Sequence, residues 1–521
     1  MIRHSHKLIV LFVLSYVLLS ANMGGYSIYI TDEARNAQCA YEMYERGDWV
    51  VPTFNNQLRT DKPPLHYWFM MLSYSIFGKT AFAARLFSAL AGAALILMTF
   101  IFARKFTNEM AANWAAVVLL SSLGFMTQFH LAVPDPYLIL CISGAHFGYF
   151  YFEQTDHRRY LLLAYISVGL GVLAKGPVAI VLPGMTIFFY MLVARKLTWK
   201  NILNLNPLTG ILIVLLISVP WYVLVHMKTD GAWTQGFFLD HNVDRFSSPK
   251  EGHGGTFLLP SIFAFVTLLP FAVFLPQAIG GAFRHRKKNS VFLFSIVSIV
   301  VTVVFFSIAS TKLPSYISPI FPFAALIIGS KLSEIQEMKG VSVTISAVIF
   351  AILGIGIWYA VYYFLPKEKG FAELTDLHYY FVPLAALSAL VPLLAITGKR
   401  VAVVLTMSFA FIVTHQLFFY AAFPKVDKIN PVQKTRGLLV EKDKIISYKR
   451  FNQGYPWVLN RSIQNFHDLS LLRKKIQEEE NLIIISRKKY LDELSQLPLK
   501  EIAREVDILD NTTTVIFEKT Q

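Results

Sequence analysis

The chain has 521 residues, 55% of them hydrophobic and only 16% charged. A soluble chain of this length carries about a quarter charged residues, so a soluble enzyme is excluded for most of it; the charge deficit covers the first four-fifths and ends in the last fifth. The formal net charge of +15 does not indicate nucleic acid, because the lysines and arginines lie in short loops between apolar runs, where they meet anionic lipid head groups.

In chain order, apolar stretches long enough to cross a bilayer, about 20 residues each, fall at 7–27, 82–103, 111–130, 133–152, 160–175, 177–194 and 207–226. They continue at 257–278, 290–309, 313–330, 341–364, 379–397 and 401–422, about thirteen spans in all. The first run follows Arg3 and Lys7 as a signal peptide would, but the topology needs it as a span. With a cytoplasmic N-terminus, the inside loops hold Arg104-Lys105, Arg158-Arg159, Arg195-Lys196, Arg284, Arg286, Lys287, Lys288, Lys331, Lys339 and Lys399-Arg400. The short outside loops hold only Lys175, Lys312, Lys367 and Lys369. This is the positive-inside asymmetry, and an odd number of spans places residues from about 424 onward outside.

The expected organisation is a mainly α polytopic membrane domain over 1–423, with extracytoplasmic loops at 28–81 and 227–256, and a small extracytoplasmic α/β domain over 424–521. In that domain Leu482–Ile485 and Thr514–Phe517 read as strands and Asp468–Glu480 as a helix. Cys39 and Cys141 form neither a metal-binding spacing nor a disulfide framework.

Ionisable residues at span ends are the chemical signal of such a chain. In the first outside loop Thr31 is placed to N-cap a helix running to about Arg46, with Asp32 and Glu33 in its first turn. Either carboxylate serves the cap or the helix dipole, or one is left to act at the membrane surface. Asp61-Lys62-Pro63-Pro64 presents an acid and a lysine on a backbone stiffened by two prolines, ahead of an amphipathic aromatic segment, Leu65–Phe77. Such a pair suits a divalent metal and a phosphate together; the plain alternative is a surface ion pair beside an interfacial helix.

Asp135, between Pro134 and Pro136, is expensive at an apolar span edge unless it is paired. Lys175 faces outward in the tight re-entry Leu173–Pro177, either snorkelling to head groups or binding an anion. Lys312 and Tyr316 repeat the theme in Thr311–Tyr316. The loop Asp240-His241-Asn242-Val243-Asp244-Arg245, with His253 beyond it, adds imidazoles, acids and an arginine. Together these residues make one outward-facing ring that fits a lipid-phosphate substrate better than an ion or a solute.

Asp32-Glu33-x-Arg35, Gly47-Asp48-Trp49-Val50-Val51-Pro52, Asp61-Lys62-Pro63-Pro64, Ala83-Ala84-Arg85-Leu86, Ala174-Lys175-Gly176-Pro177, Pro220-Trp221-Tyr222 and Lys312-Leu313-Pro314-x-Tyr316 resemble, in order, the bacterial branch of the protein O-mannosyltransferase superfamily, and within it the lipid A aminoarabinose transferases. The resemblance implies a GT-C fold, a polyprenyl-phosphate sugar donor, inverting transfer and a small periplasmic C-terminal domain. It casts Asp32 as the catalytic aspartate and Asp135 as a second one at an outside span edge. Asp61 and Lys62 match an acid–lysine pair associated with metal and donor phosphate. The usual acid there is Glu, so Asp61 reaches one methylene less. Arg245 and Tyr316 match positions that contact the lipid phosphate. Lys175 and Lys312 join them as donor-phosphate cations, His241 joins Asp61 as a metal ligand, and Glu33, Arg35 and His253 take supporting roles.

The expectation is a bacterial inner-membrane glycosyltransferase with its site facing the periplasm. It would move an aminoarabinose-like or other monosaccharide to lipid A or another envelope glycan or protein, with a divalent metal as its cofactor. Two alternatives stand beside it. A protein O-glycosyltransferase or oligosaccharyltransferase would need a peptide site, for which 227–256 has room. A polyprenyl-linked lipid transporter would show repeats and broken helices near the midplane, and no internal repeat is visible.

Overall fold

The computed structural model describes residues 2–243, 254–508 and 512–520. Seven helices among them are long and apolar enough to cross a membrane, the first being Ala81–Phe106. An eighth follows if the pair Leu259–Thr267 and Phe271–His285, bent by 109°, is one broken span. The expected thirteen is therefore not reached. The apolar helices His6–Leu19, Glu109–Ser121 and Val178–Val193 fall short of the roughly 20 residues a crossing needs. The helices Asp135–Thr155 and Arg158–Lys175 begin or end on charged residues that belong to the site. The stretch expected over 111–130 breaks after Ser121 and resumes as Leu123–Gln128.

The two ends of the bundle separate as the loop charges require. At one end Asn289 donates to the Phe106 carbonyl (2.6 Å), Arg158 to Asn204 Oδ1 (2.6 Å) and Gln154 to Ser290 (3.2 Å), and Arg400 reaches the Gln336 carbonyl. Each of these contacts joins one basic loop to the neighbourhood of another. The acid-bearing loops meet at the opposite end.

There the helix Thr31–Arg46 follows the apolar helix His6–Leu19 along the chain. Its backbone is already helical at Thr31, so Ile30 and not Thr31 holds the cap position, without a side-chain cap. Gly47, in the left-handed region (φ 63°), closes the helix. Next comes a hairpin of β1 (Thr53–Phe54) and β2 (Gln57–Leu58). Its turn residues Asn55 and Asn56 have φ of 57° and 59°, the type I′ geometry that matches strand twist. Glu42 holds the turn, accepting from the Asn55 N–H (2.7 Å), the Asn56 N–H (3.2 Å) and the Thr53 hydroxyl (2.7 Å). The aromatic segment forms the helix Leu65–Phe77, as its pattern predicts.

The C-terminal sheet contains β3 (Lys444–Tyr448), β4 (Gln464–Phe466), β5 (Leu482–Arg487), β6 (Leu499–Val506) and β7 (Thr513–Lys519), in the order β4-β3-β5-β7-β6. The β3 pairings with β4 and β5 are parallel, and the β7 pairings with β5 and β6 are antiparallel. The central β5 is buried throughout, and its first four residues, Leu482–Ile485, accordingly read as an unbroken apolar run. Both strands and the helix expected here are present, the helix as Leu469–Glu478 with Asp468 capping it.

This unit sits directly on the first outside loop. The Asn55 amide donates to the Ile463 carbonyl (2.5 Å) while its oxygen accepts from the Ile463 N–H (2.6 Å). Lys79 donates to Asn460 (2.7 Å), and Asp427 accepts from the Ser27 N–H (2.8 Å).

Candidate functional site

Two adjoining cavities lie at the acid-bearing end. One, of about 410 Å³, is polar and is lined by Asp32, Arg35, Asn36, Phe54, Arg59, Asp61, Lys62, Asp135, Lys175, Tyr316 and Gln453, among others. The other, of about 610 Å³, is walled by Leu138, Ile139, Val178, Val181, Leu182, Phe237, Phe238, Leu239, Phe305 and Phe306. The two share Asp61, Lys62, Asp135, Lys175, Ser315 and Tyr316. These six residues form a charged neck between a wet chamber and a greasy one.

Local structure explains each placement. Asp135 opens the helix Asp135–Thr155, where the dipole favours a carboxylate. Lys175 ends the next helix, Arg158–Lys175, before Gly176 turns the chain at φ 84°. The two meet at 2.7 Å, both largely buried, so the pairing that an aspartate between prolines required is present. The Lys175 ammonium also lies 5.1 Å from the centre of the Tyr316 ring.

The two adjacent acids of the first loop separate completely. Asp32 is exposed and lines the polar cavity. Glu33 is fully buried, and both its oxygens accept from Arg85, each at 2.7 Å. Glu33 also accepts from the Ala132 N–H (2.9 Å), while Arg85 donates to the carbonyls of Met23 (2.6 Å), Tyr26 (3.2 Å) and Ser27 (3.1 Å). This pair ties the first loop to the helix Ala81–Phe106 and the chain before Asp135.

Arg59 is the site residue that the sequence reading missed. It is buried (6% exposed), donates to Asn36 Oδ1 at 3.0 Å and stands 3.5 Å from Asp61. Its Nη1 is buried and has no partner among the described residues, and the residue lines the polar cavity. His66 meets the same Asn36 oxygen at 3.3 Å. Burial, and then the Arg59 charge, push the His66 pKa well below its ordinary value, so its imidazole is neutral. The signal for Arg59 was its position two residues before Asp61, within reach of the acid whose charge it offsets. Gln453 was invisible for a different reason: it arrives from the C-terminal unit.

Of the other expected residues, Arg35 lines the polar cavity. Lys312 is buried and donates to the Ala309 carbonyl at 2.7 Å; it is not among the residues lining either cavity. Arg245 and His253 lie outside the described residues, as does the side chain of His241. Among the described residues no three His, Cys, Asp or Glu side chains are grouped as a metal site.

The sequence family described as dolichyl-phosphate-mannose-protein mannosyltransferase matches residues 61–223. The undecaprenyl phosphate-alpha-4-amino-4-deoxy-L-arabinose arabinosyl transferase of Pseudomonas aeruginosa is 31% identical over 334 residues, 63% of this chain and 59% of that protein. The transferase of the same description from Pectobacterium atrosepticum is 30% identical over 339 residues, 64% and 60% of the respective chains. The chain thus matches about three fifths of the length of these relatives.

The crystal structure of ArnT from Cupriavidus metallidurans bound to undecaprenyl phosphate superposes with a TM-score of 0.83, covering 98% of both chains at 21% identity. The archaeal oligosaccharyltransferase AglB from Archaeoglobus fulgidus, in complex with an inhibitory peptide and a dolichol-phosphate, gives 0.51 at 11% identity, covering 94% of this chain and 70% of AglB.

Proposed function

We propose that this chain, a GT-C superfamily member related to the aminoarabinose transferases in sequence and fold, transfers a sugar from a polyprenyl-phosphate donor to an envelope glycolipid such as lipid A. The observation that carries the reading is the charged neck between the two cavities. A polyprenyl phosphate is an apolar chain ending in an anion. The apolar chamber suits the chain, Lys62 and Lys175 suit the phosphate, and the polar chamber takes the sugar and the acceptor. The neck faces the side opposite the basic loops, which is the periplasmic face of an inner membrane.

The residues then divide the work. The acceptor oxygen attacks the anomeric carbon from the face opposite the phosphate, so the configuration inverts. The carbon–oxygen bond to the phosphate breaks, and its electron pair stays on the phosphate. That leaving group is already acidic, so no general acid is needed. Lys62 and Lys175 stabilise the charge it gains, Asp135 orients the Lys175 ammonium, and Tyr316 flanks it. Asp32 takes the proton of an acceptor hydroxyl or, where the acceptor is an anionic phosphate, orients it.

In vitro transfer from undecaprenyl phosphate–aminoarabinose to lipid A, read by mass spectrometry, tests the reading; absence of product with well-folded enzyme would overturn it. Lys175→Ala should raise the donor KM and lower kcat, each about ten-fold, as expected for a charge-assisted contact of about 1.5–3 kcal/mol. Unchanged donor kinetics would remove Lys175 from the phosphate site.

A divalent ion belongs to the same reading. Asp61 would hold it at the neck, with Asp135 as the second carboxylate there, and it would supply further charge neutralisation to the phosphate. Chelator-treated enzyme should lose activity and recover it with Mg²⁺ or Mn²⁺. Full activity after exhaustive chelation would leave the lysines as the sole counter-charges. A peptide acceptor is the second reading, suggested by the fold shared with AglB. Glycosylated protein in place of glycosylated lipid A would decide for it.

A further inference from the structure

We propose that Gln453, delivered into the polar chamber by the C-terminal unit, is a specificity-determining residue that reads the sugar-phosphate head of the acceptor. The inference rests on the transferase reading above and assigns the C-terminal unit a part in it. Gln453 lines the polar cavity together with Asp32, Arg35 and Arg59, and it does not line the apolar one. It therefore stands beyond the neck from the lipid, on the side where the acceptor must enter.

The loop that carries it is fixed on both flanks. Phe451 and Asn452 are buried on one side and Gly454 on the other, while Gln453 is half-buried. Asn452 Oδ1 accepts from the Gly454 N–H (2.8 Å), and its amide donates to Asp507 Oδ2 (2.7 Å). That carboxylate is held in turn by Arg487 at 2.9 Å, from the end of β5. Gly454 is seated against the first loop so closely that a Cβ would lie 3.1 Å from Tyr29 Cα. A buried ionic network, which also ties β5 to β7 where Arg487 donates to Thr514 (3.0 Å), thus fixes the loop that presents one half-buried amide to the chamber.

The chemistry of that amide suits recognition. Its Nε2 donates to the Phe451 carbonyl (3.1 Å), and its Oε1 has no partner among the described residues. Beside Asp32, Arg35, Arg59, Asp61 and Lys62 it is an uncharged group, as Asn36 and Gln57 are, able to bind a hydroxyl or a phosphate oxygen without disturbing the charge balance of the neck.

The test uses full-length enzyme in nanodiscs, undecaprenyl phosphate–aminoarabinose as donor and lipid A as acceptor. Gln453→Ala should raise the acceptor KM about five-fold, the effect of one lost hydrogen bond, with the donor KM and the unfolding temperature unchanged. Gln453→Glu should raise it further, and dephosphorylated lipid A should abolish that extra effect. Asp507→Asn, which weakens a buried ion pair with Arg487 and so should also lower the unfolding temperature, should shift the acceptor KM in the same direction while donor binding stays intact. An unchanged acceptor KM in Gln453→Ala, or a shift in the donor KM instead, would overturn the assignment while leaving the transferase intact. Failure of the wild-type enzyme to transfer at all would overturn both.

Discussion

Asp32→Asn should lose between about a hundred- and ten-thousand-fold in transfer rate, the usual range for removing a well-placed base, while the protein inserts and folds as before. The substitution keeps the size of the side chain and removes only its charge and basicity. Asp32 is exposed in the first turn of Thr31–Arg46 and lines the polar cavity, so no packing depends on it. Donor binding should survive, because in the proposed arrangement the phosphate is held by Lys62 and Lys175 at the neck and not by Asp32. The measurement is single-turnover transfer beside undecaprenyl-phosphate binding, on protein of unchanged thermal stability. Transfer within a few-fold of wild type would end the assignment of Asp32 as base.

One residue further along, the expected result is of the opposite kind. Arg85→Met or Glu33→Gln should destabilise the protein by about 3–5 kcal/mol, because breaking a buried ion pair strands its partner without water. The pair is 0% exposed on both sides. Arg85→Met also deprives three backbone carbonyls, at Met23, Tyr26 and Ser27, of their donor. The double variant Glu33→Leu/Arg85→Met should therefore recover only part of the loss. Detergent-extracted protein, followed by size-exclusion chromatography and thermal unfolding, reports the effect directly. A normal unfolding temperature for Arg85→Met would show that the first loop is held elsewhere.

These neighbours also show what the sequence makes legible. Asp32 and Glu33 are both acids in the first turn of one helix, and composition cannot rank them. Successive helical residues diverge by about 100°, and only the docking of the helix shows which direction faces a cavity and which faces Arg85. Asp135 and Lys175 were each marked by the expense of a charge at an apolar edge, and that expense forecast a partner without naming it. Lys312 carried the same mark, yet it turns to its own backbone at Ala309, since a long flexible stem chooses its end point by packing. The thirteen runs were legible as apolar, but hydropathy does not report where a helix breaks, as at Ser121 and between Thr267 and Phe271. Arg59 was legible only as a cation two residues before Asp61, and Gln453 depended on the seating of one unit upon another, which no local pattern encodes.

The clasp between Asn55 and Ile463 also bears on how the protein comes into being. Its two ends lie 408 residues apart, and the hairpin it steadies forms one wall of the polar chamber. A ribosome delivers the hairpin early, and Ile463, just ahead of β4, only after the apolar helices between them have been made. Through most of synthesis the chamber lacks its finished wall. Under the proposed function, transfer would therefore wait until the C-terminal unit has docked on the hairpin.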